Sequence, residues 1–103
     1  MADPMKIRAT SSNGVTEVKV LMSHPMETGQ RKDSEGKTVP AHFITEVTAT
    51  MSGKTVLQCY WGQSVSQNPY LAFKVKGGAK GEKIQVNWVD NKGDKRSDEA
   101  TIS

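Results

Sequence analysis

Apolar and polar residues alternate along most of the chain, which predicts a protein built from β-strands. Residues 5–10 place Met5, Ile7 and Ala9 on one face and polar side chains on the other. Successive side chains of a strand point to opposite faces, so this alternation indicates one buried face. The same alternation recurs at residues 15–23, 43–51, 54–61, 71–76 and 84–88. The highly charged segment 95–102 is predicted to be an edge strand, because charge blocks edge-to-edge pairing.

Turn residues separate these stretches. Ser11-Ser12-Asn13-Gly14, Ser52-Gly53, residues 77–81 and residues 90–94 are rich in Gly, Asn and Asp, which are typical of turns. Seven short strands with no helical periodicity predict an all-β protein, an immunoglobulin-like antiparallel β-sandwich of about seven strands. A small barrel is the alternative. With 103 residues, the chain is predicted to be a single domain over 1–103, because domains commonly have ~100–150 residues.

One long segment breaks the strand pattern. Residues 24–40 contain prolines at both ends and six charged side chains. Loops of this length are uncommon in small domains and are often functional. Within it, Met26 is either a core residue at the start of the loop or part of an adaptable contact surface, because thioethers repack easily.

Composition supports the β prediction and restricts the function. Ten Val, four Ile and nine Thr stand against three Leu, and β-branched residues suit pleated sheets. The net charge of +3 comes from cations scattered along the chain, whereas nucleic-acid binding needs them clustered on one face. The basic hairpin predicted from Lys74 to Lys83 is either a charged surface or a patch that attracts an acidic partner or an anionic ligand. No segment has the ~20 apolar residues of a membrane span.

Candidate chemistry is sparse. Cys59 lies between Leu57 and Trp61 on the predicted core face, where a free cysteine behaves as a small buried hydrophobe. Both histidines, His24 and His42, precede it, which does not fit a copper loop, and two histidines alone are too few for zinc. No nucleophile elbow is present. We therefore expect no catalytic residue, no metal and no cofactor, with Phe73 and Trp88 in the core.

Three segments of the chain resemble a known family. Residues 22–33, Met-Ser-His-Pro-Met-Glu-Thr-Gly-Gln-Arg-Lys-Asp, and residues 39–44, Val-Pro-Ala-His-Phe-Ile, are similar to SoxZ, as is the segment Val89-Asp90-Asn91-Lys92-Gly93-Asp94. The resemblance covers essentially the whole chain. SoxZ proteins are the small subunits of the SoxYZ carrier of thiosulfate oxidation.

The resemblance implies a function in sulfur oxidation without catalysis. SoxZ-like chains are immunoglobulin-like sandwiches that pair with a SoxY-type subunit, whose cysteine on a Gly-Gly-Cys-Gly-Gly-type arm carries the sulfur. This chain ends at Ser103 without such an arm, so it matches the non-carrying subunit. The resemblance also implies transient contact with other Sox enzymes and a periplasmic location. The resemblance further implies co-export with a signal-bearing partner, and the N-terminus, at which no export signal is recognisable, fits that expectation.

The partner surface is predicted from the long loop and from outward-facing strand residues. The candidates are His24, Pro25, Met26, Glu27, Arg31, Val56, Tyr60 and Val89. A homodimer of the isolated chain stays open, because exposed sandwich edges can self-associate. The alternative functions are a β-sandwich electron-transfer or metal-binding protein and a nucleic-acid binder. The first would contain a stoichiometric metal, and the second would bind in a strongly salt-dependent manner.

Overall fold

The computed structural model describes residues 4–103 and contains seven strands in two antiparallel sheets. The strands are β1 (Lys6–Ser12), β2 (Val15–Leu21), β3 (Ile44–Met51), β4 (Lys54–Tyr60), β5 (Tyr70–Lys76), β6 (Lys83–Asp90) and β7 (Lys95–Thr101). One sheet has the order β1-β2-β5 and the other β4-β3-β6-β7. The prediction of an all-β sandwich is confirmed, and two separate sheets replace the alternative barrel. β7 is an edge strand, as predicted.

The core lies between the two sheets and follows the period-two pattern. Val18 and Val20 of β2 and Val86 and Trp88 of β6 all belong to it, and all four are at most 2% exposed. The inward side chains of β3 complete this layer. Burial of these side chains is the main source of stability, at about 25 cal/mol per Å² of apolar surface removed from water.

The first hairpin turn is shorter than the sequence pattern indicated. Ser11 and Ser12 pair with Thr16 and Val15, so the predicted four-residue turn contracts to Asn13-Gly14. Both turn residues have positive φ, 53° and 77°. Those angles are typical of the two-residue turn that matches the twist of a hairpin.

Two further predictions are corrected by the sheet topology. Lys74 and Lys83 do not flank a hairpin, because β5 and β6 belong to different sheets and residues 77–82 cross between them. Val56 does not face outward. The pairing of β3 with β4 shifts between Ala49 and Thr50, and Val56 is partly buried against the core.

One side of the sandwich is closed by contacts between β1 and the end of the chain. The Ser11 amide donates to the Ser103 carbonyl at 2.9 Å, and the Ser103 amide donates to the Ala9 carbonyl at 3.0 Å. The Met5 amide donates to Asp98 Oδ2 at 2.9 Å. Within residues 4–103 no helix is long and apolar enough to cross a membrane.

Candidate functional site

Two histidines and an aspartate meet at one end of the sandwich. His24 follows β2, His42 precedes β3 and Asp90 ends β6. Their side chains converge on one atom: Asp90 Oδ2 lies 3.0 Å from His24 Nε2 and 2.7 Å from His42 Nε2. The two imidazole rings meet edge-on with centroids 4.6 Å apart. Sequence reasoning placed Asp90 in a turn and did not identify this cluster.

The protonation of the histidines follows from their partners. The backbone amide of Met26 donates to His24 Nδ1 at 3.1 Å, so Nδ1 is an acceptor. A neutral imidazole has one donor and one acceptor nitrogen, so the proton of His24 is on Nε2 and is donated to Asp90. His42 also donates through Nε2, because a carboxylate only accepts. The side chain of His42 is 26% exposed.

Asp90 is an anion that is satisfied by hydrogen bonds on both oxygens. Oδ2 accepts from the two histidines, and Oδ1 accepts from the amides of Lys92 at 3.0 Å and Asp94 at 2.9 Å. Burial alone would raise the pKa of Asp90, but the hydrogen bonds from His24, His42 and the turn amides outweigh it and lower the pKa. A buried carboxylate of this kind stays ionised because its donors replace water.

His24 is held in the neutral form. Burial lowers its pKa below 6.5 and His42 acts in the same direction, while the hydrogen bond to Asp90 opposes both. The residue is 4% exposed. Trp88 packs edge-on against the ring with centroids 5.0 Å apart. The buried indole Nε1 of Trp88 has no hydrogen-bond partner among the described residues.

The three side chains resemble a set of metal ligands, since their donor atoms lie within 4.8 Å of one another. The hydrogen bonding opposes this use. A metal on His24 Nε2 would move the ring proton to Nδ1, where it would face the amide proton of Met26. Two donors would then point at each other in a buried site. The hydrogen bonding of the cluster therefore fits a structural role better than a metal centre.

The cluster fastens the long loop to the sandwich. Residues 27 and 42 form an isolated bridge in which the Glu27 amide donates to the His42 carbonyl at 2.7 Å and the His42 amide donates back at 3.0 Å. Farther along the loop, the Arg31 guanidinium binds the Glu27 carboxylate. The hydrogen bond from Arg31 lowers the pKa of Glu27, so this ion pair forms at neutral pH on the surface.

The structure divides the predicted loop residues into inner and outer groups. His24 and Met26 are 4% and 5% exposed, so their side chains lie inside the chain, and Met26 is a core residue. Pro25 and Arg31 are exposed and Glu27 is half-buried. A partner could therefore contact only these last three side chains without displacing the core. Their role in binding stays a prediction.

Two of the predicted strand residues form a small surface group. Tyr60 and Val89 are 74% and 40% exposed. Both lie opposite Glu46 of β3, from its two sides. The structure thus brings them together on the outer face of the four-stranded sheet. Val56 is separate from them, being partly buried.

Cys59 lies in β4 and packs partly buried against the core. Its register partner is Val47, which is fully buried. The predicted core-facing orientation is confirmed, although burial is incomplete because β4 is an edge strand.

Comparison with solved structures places the fold among antiparallel β-sandwich proteins. A superoxide reductase in the oxidized state aligns with a TM-score of 0.64 and 18% identity over 99% of this chain and 89% of that chain. A variant of the superoxide reductase (neelaredoxin) from Archaeoglobus fulgidus, in the reduced form, aligns with a TM-score of 0.62 and 20% identity over 97% of this chain and 86% of that chain. At such identities the likeness shows the fold alone. No curated protein sequence matches the chain.

A family match provides the specific assignment. The profile of the family described as sulphur oxidation protein SoxZ matches residues 5–101. The chain belongs to the SoxZ family, and this confirms the resemblance seen in residues 22–33 and 39–44. It places the protein in the sulfur-oxidation (Sox) system.

Proposed function

We propose that this protein is the non-catalytic subunit of a SoxYZ-type sulfur carrier. It binds a SoxY-type subunit, whose arm cysteine carries the sulfur intermediates of thiosulfate oxidation, and it helps present that arm to the other Sox enzymes. The observation that carries the proposal is the match of the SoxZ family over residues 5–101.

The position of Cys59 supports the proposal that a partner subunit carries the sulfur. A carrier thiol must leave the protein surface and enter several active sites, so it needs a mobile segment. Cys59 is the one cysteine of the sequence and is fixed in β4 with its side chain against the core. Its thiol cannot travel without unfolding the strand. The working thiol of the complex therefore belongs to the other subunit.

The buried cluster supports a binding function over catalysis. Asp90 and His24 are 3% and 4% exposed, and their hydrogen-bonding groups are used within the chain. These two side chains are thus engaged in stabilising the loop. The subunit's contribution is then a rigid surface that is shared by the carrier and the enzymes it visits.

Co-expression with the SoxY-type subunit of the same source tests the proposal. The two chains are expected to elute together at a 1:1 ratio in gel filtration without a tag on this chain. Separate elution of two folded chains would contradict the proposal. A periplasmic location belongs to it as well, and fractionation of the source cells with an antibody to this chain tests that part.

A further inference from the structure

The two long sides of the sandwich differ in how they are closed. On one side, hydrogen bonds from Ser11, Ser103 and Met5 join β1 to the end of the chain and to β7. On the other side lie β4 and β5, the last strands of their sheets. No backbone hydrogen bond joins β4 to β5 within residues 4–103. The sandwich is therefore open along β4 and β5.

Apolar side chains line this open side without being fully covered. Those from β4 and the residue after it are Leu57, Cys59 and Trp61, and those from β5 are Leu71, Phe73 and Val75. All six are partly buried, whereas Val18, Val47 and Val86 on the inner strands are fully buried. The core thus continues to the surface here. Apolar side chains that stay partly uncovered at a sheet edge provide surface that a partner can bury.

The backbone of β5 has outward-pointing hydrogen-bonding groups along this side. The Met22 amide donates to the Pro69 carbonyl, and the Gly77 amide donates to the Gly14 carbonyl. Between them the pairing of β2 with β5 runs without interruption. Hydrogen-bonded pairs alternate in an antiparallel ladder, so residues 71, 73 and 75 bond to β2. Residues 70, 72, 74 and 76 direct their N–H and C=O groups to the open edge.

β5 is the edge best suited to accept another strand. β4 contains a register shift at its pairing with Ala49 and Thr50, and β7 has four charged residues among its seven. Bulges and charges are the usual protection of sheet edges. β5 has seven regular residues, no proline and a charge only at Lys74 and Lys76.

The charge of the three-stranded sheet's outer face indicates which kind of strand can pair with β5. The outer face of this sheet presents five exposed cations, Lys6, Arg8, Lys19, Lys74 and Lys76. Among the strand residues of that face the one carboxylate is Glu17, which is paired with Lys19 at 3.4 Å. A second copy of β5 would bring its own lysines close to these, and like charges in adjacent strands repel. An acidic strand would instead meet Lys74 and Lys76 with opposite charge.

We propose that the free edge of β5 is the docking site for an extended, acidic strand of the partner subunit. Its backbone pairs with residues 70–76, and its carboxylates lie beside Lys74 and Lys76. Its apolar side chains cover Leu71 and Phe73 and close the open side of the sandwich. The proposal rests on the proposed function for the identity of the partner, the SoxY-type subunit.

Proline substitution tests the backbone part. Ala72→Pro removes an N–H that faces the open edge and leaves the bonds to β2 in place. It is expected to weaken binding to the SoxY-type subunit at least tenfold, as measured by calorimetric titration. The matched control is Ser97→Pro, whose N–H points away from β6 in the other sheet, and it should bind within twofold of the unchanged protein.

Charge reversal and hydrogen exchange test the same site without depending on a proline. Lys74→Glu with Lys76→Glu should weaken binding at least tenfold, whereas Lys80→Glu with Lys83→Glu, outside β5, should have a smaller effect. In the unchanged complex the amides of Ala72 and Lys74 should exchange at least tenfold more slowly than in the isolated chain. The docking site would be overturned if the β5 variants bound with full affinity and the amides of Ala72 and Lys74 stayed unprotected in the unchanged complex. The proposed function would still stand in that case. Failure of the unchanged chains to associate would overturn both.

Discussion

The amide of Met26 donates a hydrogen bond to Nδ1 of His24, two residues earlier in the chain, at 3.1 Å. This contact fixes the position of the ring proton of His24. It leaves Nε2 of His24 as the donor to Asp90, and it keeps His24 neutral inside the core. Met26 itself has a positive φ of 49°.

Metal binding is the first property that this contact predicts. Because Nε2 of His24 is protonated and Nδ1 is occupied, the protein is expected not to retain Zn²⁺ or Co²⁺ stoichiometrically. Titration with Co²⁺ monitored by the visible spectrum checks this at neutral pH. A 1:1 tetrahedral Co²⁺ spectrum that disappears in His42→Ala would contradict the protonation assigned to His24.

Replacing Asp90 should destabilise the fold strongly. In Asp90→Asn an amide cannot accept from two imidazoles and two backbone N–H groups together, so buried donors lose their acceptors. Hydrogen bonds to a buried charge contribute about 1.5–3 kcal/mol each in net terms, and we expect a loss of about 3 kcal/mol in urea unfolding. Asp33→Asn is the matched control, because Asp33 also accepts two backbone amides but lies exposed. It should cost less than about 1 kcal/mol.

Stability should fall as the pH decreases from neutral. The folded-state pKa of His24 lies below 6.5, so the unfolded chain takes up a proton first as the pH falls. The free energy of unfolding then decreases below about pH 6.5, by at most about 1.4 kcal/mol per pH unit for one group. Asp90, whose pKa is lowered, adds a second loss below about pH 4. Urea unfolding between pH 8 and pH 3 measures both.

The variant His24→Gln separates the two contributions. Glutamine cannot take up a proton in this range, so the decrease between pH 6.5 and pH 5 should become smaller, whatever the variant's stability at pH 8. The loss below about pH 4 should remain. An unchanged slope above pH 5 would show that another group is responsible.

Gly78 provides a test of the crossing between the sheets. It has a positive φ of 83°, and a Cβ built there would meet Thr16 Oγ1 closer than real Cβ atoms approach and Met51 Sδ at 3.1 Å. Thr16 cannot yield easily, because it is fully buried and donates to the Gly77 carbonyl at 2.7 Å. Gly78→Ala should therefore cost more than the ~1–2 kcal/mol of an unfavourable φ alone. Gly81→Ala, at φ 95° in open space, is the control for that conformational cost, and thermal unfolding compares the two.

Cys59 should react slowly with thiol reagents in the native chain. It is partly buried and faces the core from an edge strand, so labelling by 5,5′-dithiobis(2-nitrobenzoate) should be at least tenfold slower than in the unfolded chain. Labelling at equal rates in native and unfolded protein would contradict the placement of this side chain. A surface cysteine introduced as Ser64→Cys in a Cys59→Ala background provides the fast reference.

The sequence pattern predicts the strands and the inner layer but not the long-range pairings. Val18, Val20 and Trp88 follow from alternation, because burial of one face leaves a local signal. Asp90 continues the inward-facing series of Ile84, Val86 and Trp88, so the same alternation indicates a buried side chain. The pattern does not indicate its two histidine partners, since they lie 66 and 48 residues away in the chain.

Two of the corrected predictions, those for Val56 and for residues 74–83, fail for local reasons that the sequence pattern does not reveal. Val56 is itself the extra residue of β4: Leu57 pairs with Ala49 and Thr55 with Thr50. Alternation assumes a regular ladder and cannot detect such a shift. The segment 77–81 has the glycines that are typical of a hairpin turn. In the structure these residues instead connect a strand of one sheet to a strand of the other.

The bonds between Ala9 and Ser103 also bear on how the protein is made. They join residues 94 positions apart, so within the described chain that side of β1 is closed only when the last residues are available. Folds dominated by such distant pairings form slowly, in about milliseconds to seconds, because long loops must close before their contacts are gained. During synthesis the first sheet is complete only after β5 has left the ribosome, although β1 and β2 can pair earlier. The bonds to Ser103 form later still, so this side of β1 is expected to be among the last parts of the described chain to reach its native structure.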